Sequence, residues 1–89
     1  MAWKIEISEQ AERDLSKLDL QHARHILKFL HERVANLDDP RTLGKALRGA
    51  RFGELWRYRL GHFRIFWKIE DDRLVVLVIR IGHWKDIYR

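Results

Sequence analysis

Three arginines stand in the stretch LWRYRLGHFRIFW, residues 55–67, among aromatic and aliphatic residues that alternate as they do on a pleated strand. Arg57 and Arg59 precede Gly61-His62 and Arg64 follows it, and a Gly-first pair has the composition of a type II′ two-residue turn. With that turn Leu60 faces Phe63, Arg59 faces Arg64, Tyr58 faces Ile65 and Arg57 faces Phe66. Paired residues share a face of the sheet. One face would then carry Tyr58, Leu60, Phe63, Ile65 and Trp67, and the other Arg57, Arg59 and Arg64. Like charges placed directly opposite destabilise a hairpin, so Arg59 against Arg64 calls for something that offsets it. Three solutions stand open: a bound polyanion, carboxylates of the first half such as Glu6 or Asp14, or water, with the arginine stems covering apolar surface.

A cluster of guanidinium groups suits one reaction that needs neither a metal nor a protein nucleophile, the cleavage of RNA by its own 2′-hydroxyl. The transition state of that reaction adds negative charge to the phosphoryl oxygens, and pre-placed arginines stabilise it electrostatically. Holding the 2′-oxygen in line with the leaving oxygen supplies much of the rest. Other chemistries find little support. The chain has no cysteine, and its five histidines (22, 25, 31, 62 and 83) form no HExxH or comparable zinc pattern. No P-loop, GxGxxG fingerprint or GxSxG elbow is present.

Charge is segregated along the 89 residues. Residues 1–40 carry six basic and eight acidic groups, whereas residues 41–89 carry twelve basic and five acidic. A basic half gains by replacing the counterions of a phosphate backbone, which favours nucleic acid over solubility alone as its explanation. The length fits one domain with one core, 1–89. The absence of cysteine fits a reducing compartment, and neither a leader nor a bilayer-length apolar run is present, so a cytoplasmic protein without a membrane is expected.

The elements that must position the arginines follow from pattern. WKIEI (3–7) alternates as a half-buried strand. Ser8 reads as the cap of a short helix with Glu9 and Glu12 in its first turn and Ala11, Leu15 and Leu18 on one face. Asp19 reads as the next cap, and Ala23, Ile26, Leu27, Leu30, Val34 and Leu37 predict one long amphipathic helix to about residue 37, ended by Pro40. Residues 41–53 form a basic connection with a short strand around 46–48. After the hairpin, EDDR (70–73) is a turn and LVVLVIRI (74–81) a central strand apolar on both faces. The helices need a sheet to bury their stripes, so the fold class is α+β: an N-terminal strand and two-helix hairpin packed on a mainly antiparallel sheet.

The ordered set ALRG (46–49), LWRYRLGHFRIFW (55–67), DDRLVVLVIRIGH (71–83) and DIYR (86–89) resembles the RelE toxins of the RelE/ParE superfamily, from bacterial and archaeal toxin–antitoxin pairs. The resemblance covers essentially the whole chain. It implies a strand-helix-helix unit on an antiparallel sheet and a ribosome-dependent endoribonuclease that cuts messenger RNA in the A site without a metal. By that resemblance Arg57 and Arg59 fall on the paired basic residues, Arg64 on the phosphate-stabilising arginine, and Tyr88 on the C-terminal tyrosine that stacks on or orients the substrate. The expected site therefore has Arg57, Arg59, Arg64, Tyr88 and His83 as catalytic residues, with Lys45, Arg48, Trp84 and Lys85 binding RNA, and no cofactor.

One position departs from the pattern. Many members read GHRxxxY where this chain has Gly82-His83-Trp84-Lys85. Trp84 cannot neutralise a leaving oxygen, although stacking on a base is worth about 1–3 kcal/mol. His83, whose imidazole could give or take a proton, or Lys85 would then substitute, or cleavage would be weakened. Glu54 and Tyr88 are the other groups able to act as a base. The expected partners are a RelB-like antitoxin with an acidic segment, the ribosome and its mRNA. Two rivals remain: a ParE-like poison of DNA gyrase, and a non-catalytic module that binds RNA or an antitoxin through the basic face.

Overall fold

The computed structural model describes residues 2–47 and 55–87. Five strands form one sheet: β1 (Lys4–Ile7), β2 (Lys45–Leu47), β3 (Leu55–Leu60), β4 (Phe63–Glu70) and β5 (Val75–His83), in the order β1-β5-β4-β3-β2. β1 runs parallel to β5, and every other pair is antiparallel. Helices α1 (Glu9–Ser16) and α2 (Leu20–Phe29) follow β1, and a short α3 (Trp84–Ile87) follows β5. The α+β architecture is the one the sequence predicts.

Ser8 caps α1 by accepting from the Ala11 amide at 3.1 Å, and its hydroxyl donates to the Ile79 carbonyl at 3.0 Å, which ties the helix start to β5. The predicted long second helix is corrected in its last third. Regular α-helix ends at Phe29, and Leu30–Val34 continue as a π-helical turn closed by the Ala35 amide on the Leu30 carbonyl at 3.0 Å. Ile26, Leu30 and Val34 are all fully buried. Steps of four drift around a helix of about 3.6 residues per turn, and the wider π turn takes up that drift and returns Val34 to the core.

The core lies between these helices and one face of the sheet, where Ala11, Ile26, Leu30 and Val34 meet Ile65, Trp67, Val76, Val78 and Ile81. The hairpin has the predicted register, Arg59 opposite Arg64 and Leu60 opposite Phe63. Of its two turn residues only Gly61 has positive φ (59°), as a type II′ turn requires. Between β4 and β5 the register shifts: Phe66 pairs with Arg80 and Trp67 with Val78, so Ile79 is an extra residue, a β-bulge. At the far end of the sheet Arg41 makes a two-pronged ion pair with Asp71, at 3.0 and 2.6 Å, which fastens the turn Pro40–Thr42 to the β4–β5 connection.

Candidate functional site

Alternation from the hairpin register sends Tyr58, Ile65 and Trp67 to the core face and Arg57, Arg59 and Arg64 to the opposite face. Lys45 pairs with Arg57 across β2–β3 and joins them. Four of the predicted basic residues thus share one surface. Gly44, Lys45, Arg57, Tyr58 and Arg59 line a shallow hollow of about 240 Å³ on it. Gly44 makes the hollow's wall: its φ is +84°, and a Cβ there would lie 2.6 Å from the Arg57 carbonyl oxygen.

The opposed arginines are accommodated unequally. Arg59 is exposed, but Arg64 is only 8% exposed, its Nη1 donating to the carbonyl oxygens of Gly61 (3.2 Å) and Phe63 (3.0 Å). Carbonyl oxygens of its own turn therefore hold the Arg64 charge. The two carboxylates considered from sequence are engaged elsewhere: Glu6 with Arg73 at 3.0 Å, and Asp14 with Arg80 at 3.1 Å. Neither pairs with the hairpin arginines.

His83 stands out of phase with the hairpin arginines, although it lines a cleft together with Arg80. It pairs with Phe63, one step out of phase with Arg64 and Gly82, and its ring lies against Phe63, with His62 and Trp84 stacked near it at 5.8 and 6.1 Å between ring centres. The Lys85 amide donates to His83 Nδ1 at 3.2 Å. Trp84 is 43% exposed, its amide donates to the His62 carbonyl at 2.9 Å, and the Lys85 ammonium sits 5.7 Å from its ring centre. These residues form an aromatic rim beside the Gly61-His62 turn, chemically a surface for stacking on flat rings. Arg48, Tyr88 and Glu54 lie outside the described residues. Among the described residues no group of three His, Asp or Glu side chains could hold a metal ion, and no helix is long and apolar enough to cross a membrane.

Two features escaped the sequence reading. The turn of helix α3 lays the Ile87 side chain over Gly82, where a Cβ would meet it at 3.2 Å. And Arg80, in a run that reads as core, emerges on the arginine face because Ile79 bulges. No residue pattern in LVVLVIRI marks that bulge.

The family model described as ParE toxin of type II toxin-antitoxin system, parDE, matches residues 5–88. Toxin RelG of Mycobacterium tuberculosis (strain ATCC 25618 / H37Rv) is 29% identical over 89 residues, covering 100% of this chain and 99% of its own. Among solved structures, a chain of the toxin–antitoxin complex RelBE2 from Mycobacterium tuberculosis superposes with a TM-score of 0.83 at 25% identity, over 93% of this chain and 99% of that one. A chain of the archaeal RelE–RelB complex from Pyrococcus horikoshii OT3 gives 0.72 at 22% identity, over 93% and 96%, a likeness of fold.

Proposed function

The chain belongs to the ParE toxin family of type II toxin–antitoxin systems, within the RelE/ParE superfamily, and from that premise we propose that it is the RNA-cutting kind of toxin, a ribosome-dependent mRNA endonuclease. The observation that carries the proposal is the convergence of Lys45, Arg57, Arg59 and Arg64 on the sheet face opposite the core. A strand of mRNA laid on that face meets cations spaced along two rows, and the scissile phosphate sits at Arg59 and Arg64. The 2′-oxygen attacks the adjacent phosphorus, the bond from phosphorus to the 5′-oxygen breaks, and the products are a 2′,3′-cyclic phosphate and a 5′-hydroxyl. Charge building on the phosphoryl oxygens is met by Arg59 and by the Arg64 nitrogens not engaged with the turn. Because His83 stands out of phase with the hairpin arginines, Tyr88, which the resemblance implies as the substrate-orienting tyrosine, is proposed as the group for the 2′-oxygen, and Trp84 with His83 and Lys85 as a stacking edge for a neighbouring base.

A RelB-like antitoxin is the proposed partner, since the similar structures include toxin–antitoxin complexes of RelE with RelB. The cytoplasm, where translating ribosomes are, is the proposed location. Two observations favour gyrase as the alternative target: the matching family model is that of ParE, and Trp84 stands where the resemblance has an arginine. The discriminating experiment incubates the purified chain with translating ribosomes and a chelator, and in parallel with gyrase and supercoiled DNA. Fragments ending in a cyclic phosphate, with gyrase unaffected, support the nuclease. Inhibited gyrase with intact message supports the alternative, and salt-sensitive RNA binding with neither effect leaves a binding module.

A further inference from the structure

We infer that the cleft between α1, the end of β5 and α3 is a second phosphate-binding subsite, in which Arg80 takes a phosphate of the RNA strand and Asp14 positions Arg80; the inference rests on the reading that the arginine face binds RNA. Two independent features build the site. The first is the bulge at Ile79. Without it Arg80 would share a face with Val76 and Val78 and point into the core; with it Arg80 stands in one row with Phe66 and Arg57, beside the row of Arg59, Arg64 and Gly82.

The second is the way Asp14 holds the arginine. Asp14 is only 7% exposed, and its carboxylate accepts three hydrogen bonds: from the Ile81 amide at 2.9 Å, from Arg80 Nε at 3.1 Å and from Gln10 Nε2 at 3.0 Å. A charge-assisted bond through Nε fixes the plane of the guanidinium while leaving its terminal nitrogens uncommitted. In Arg80 those two nitrogens make no hydrogen bond to the described residues, and the side chain is 46% exposed. A clamp serving stability alone would engage the terminal fork; this one presents it outward, with the geometry that matches two phosphate oxygens.

The cleft in front of that fork measures about 250 Å³. The missing side chain of Gly82 lets Ile87 lie against it and close one side, and Lys17 adds a second cation to the lining. Asp86 also lines it and opposes an anion there. The subsite returns positive charge to the end of the sheet where Trp84 replaces the family arginine, and it extends the RNA track from β2 to α1. Arg80 is a binding residue in this account, and Asp14 acts through it.

The test is the salt dependence of binding to a short, uncleavable 2′-O-methyl RNA carrying a fluorophore, read by anisotropy. Arg80→Gln is the informative variant, because the glutamine Nε2 occupies the place of the arginine Nε and keeps a donor for Asp14 while the fork and its charge are gone. The expected result is a slope of log K against log salt shallower by about 0.7, one phosphate contact on a single strand, with thermal unfolding unchanged. Arg80→Lys should keep the slope and weaken binding severalfold, and Asp86→Asn should tighten it. Arg24→Gln, at an exposed position of α2, should leave the slope alone. An unchanged slope in Arg80→Gln, or an equal loss in Arg24→Gln, overturns the subsite. A wild-type chain that does not bind, or an Arg59→Ala variant with the wild-type slope, overturns the arginine-face reading as well.

Discussion

At the scale of single residues the notable choice is Arg64. Placing it opposite Arg59 works against the hairpin, and the opposition is relieved because its guanidinium turns back onto the Gly61 and Phe63 carbonyl oxygens. That leaves a nearly buried cation with spare donors, fixed in advance at the surface where charge would develop. Arg64→Ala should therefore lower single-turnover cleavage on ribosomes about 10²- to 10³-fold, as loss of a pre-placed anion-stabilising donor does. A second residue-scale prediction concerns Asp71, whose carboxyl is held below its ordinary range chiefly by the hydrogen bonds from Arg41, together with the attraction of that charge. A carboxyl depressed in the folded state adds stability above its ordinary pKa and loses it as the pH falls through the depressed value. Thermal unfolding followed into acid should show this loss in the wild-type chain and a flatter profile in Asp71→Asn; identical profiles would remove the pair from the account. The arginine triad was legible from sequence because a two-residue turn fixes register, and register fixes faces. The separation of His83 from that triad was not, because a histidine after Gly82 reads equally well as the first residue of a turn.

At the scale of elements the site depends on close approaches and on departures from regular geometry. Gly44 brings the start of β2 against the backbone of β3 at positive φ, with no room for a Cβ. Gly44→Ala combines that backbone strain with a steric conflict and should cost about 1–3 kcal/mol, seen as a Tm lower by several degrees; an unchanged Tm would mean that the hollow beside Lys45 and Arg57 is not held as described. β1, β3, β4, α1 and the hairpin turn were readable from alternation, the Ser8 cap and the Gly61-His62 pair. The π turn was hidden because buried residues at spacing four suit either helix, and the β5 bulge because a strand apolar on both faces carries no alternation from which a slip can be read. α3 was hidden by its length, since four residues are too few to show a period.

At the scale of the whole molecule the segregation of charge becomes a division of labour. The acidic-leaning first half contributes α1 and α2, which cover the core face, and the basic second half contributes most of the sheet, with Arg57, Arg59 and Arg64 on its other face. That much was legible from charge counts and element order, whereas the extension of the track toward α1 through Arg80 depended on tertiary contacts with Asp14. The chain presents charges and a stacking rim but no strong base among its described arginine-face residues, so cleavage should depend on the ribosome to align the 2′-oxygen, and naked RNA should be cut slowly; rapid cutting of naked RNA by a clean preparation would contradict this. The most direct measurement is primer extension on messenger RNA held in programmed ribosomes, with the wild-type chain beside Arg64→Ala and Trp84→Arg. Cuts within the A-site codon are expected from the wild-type chain, lost in Arg64→Ala and strengthened in Trp84→Arg. Intact message with all three proteins would contradict the nuclease reading.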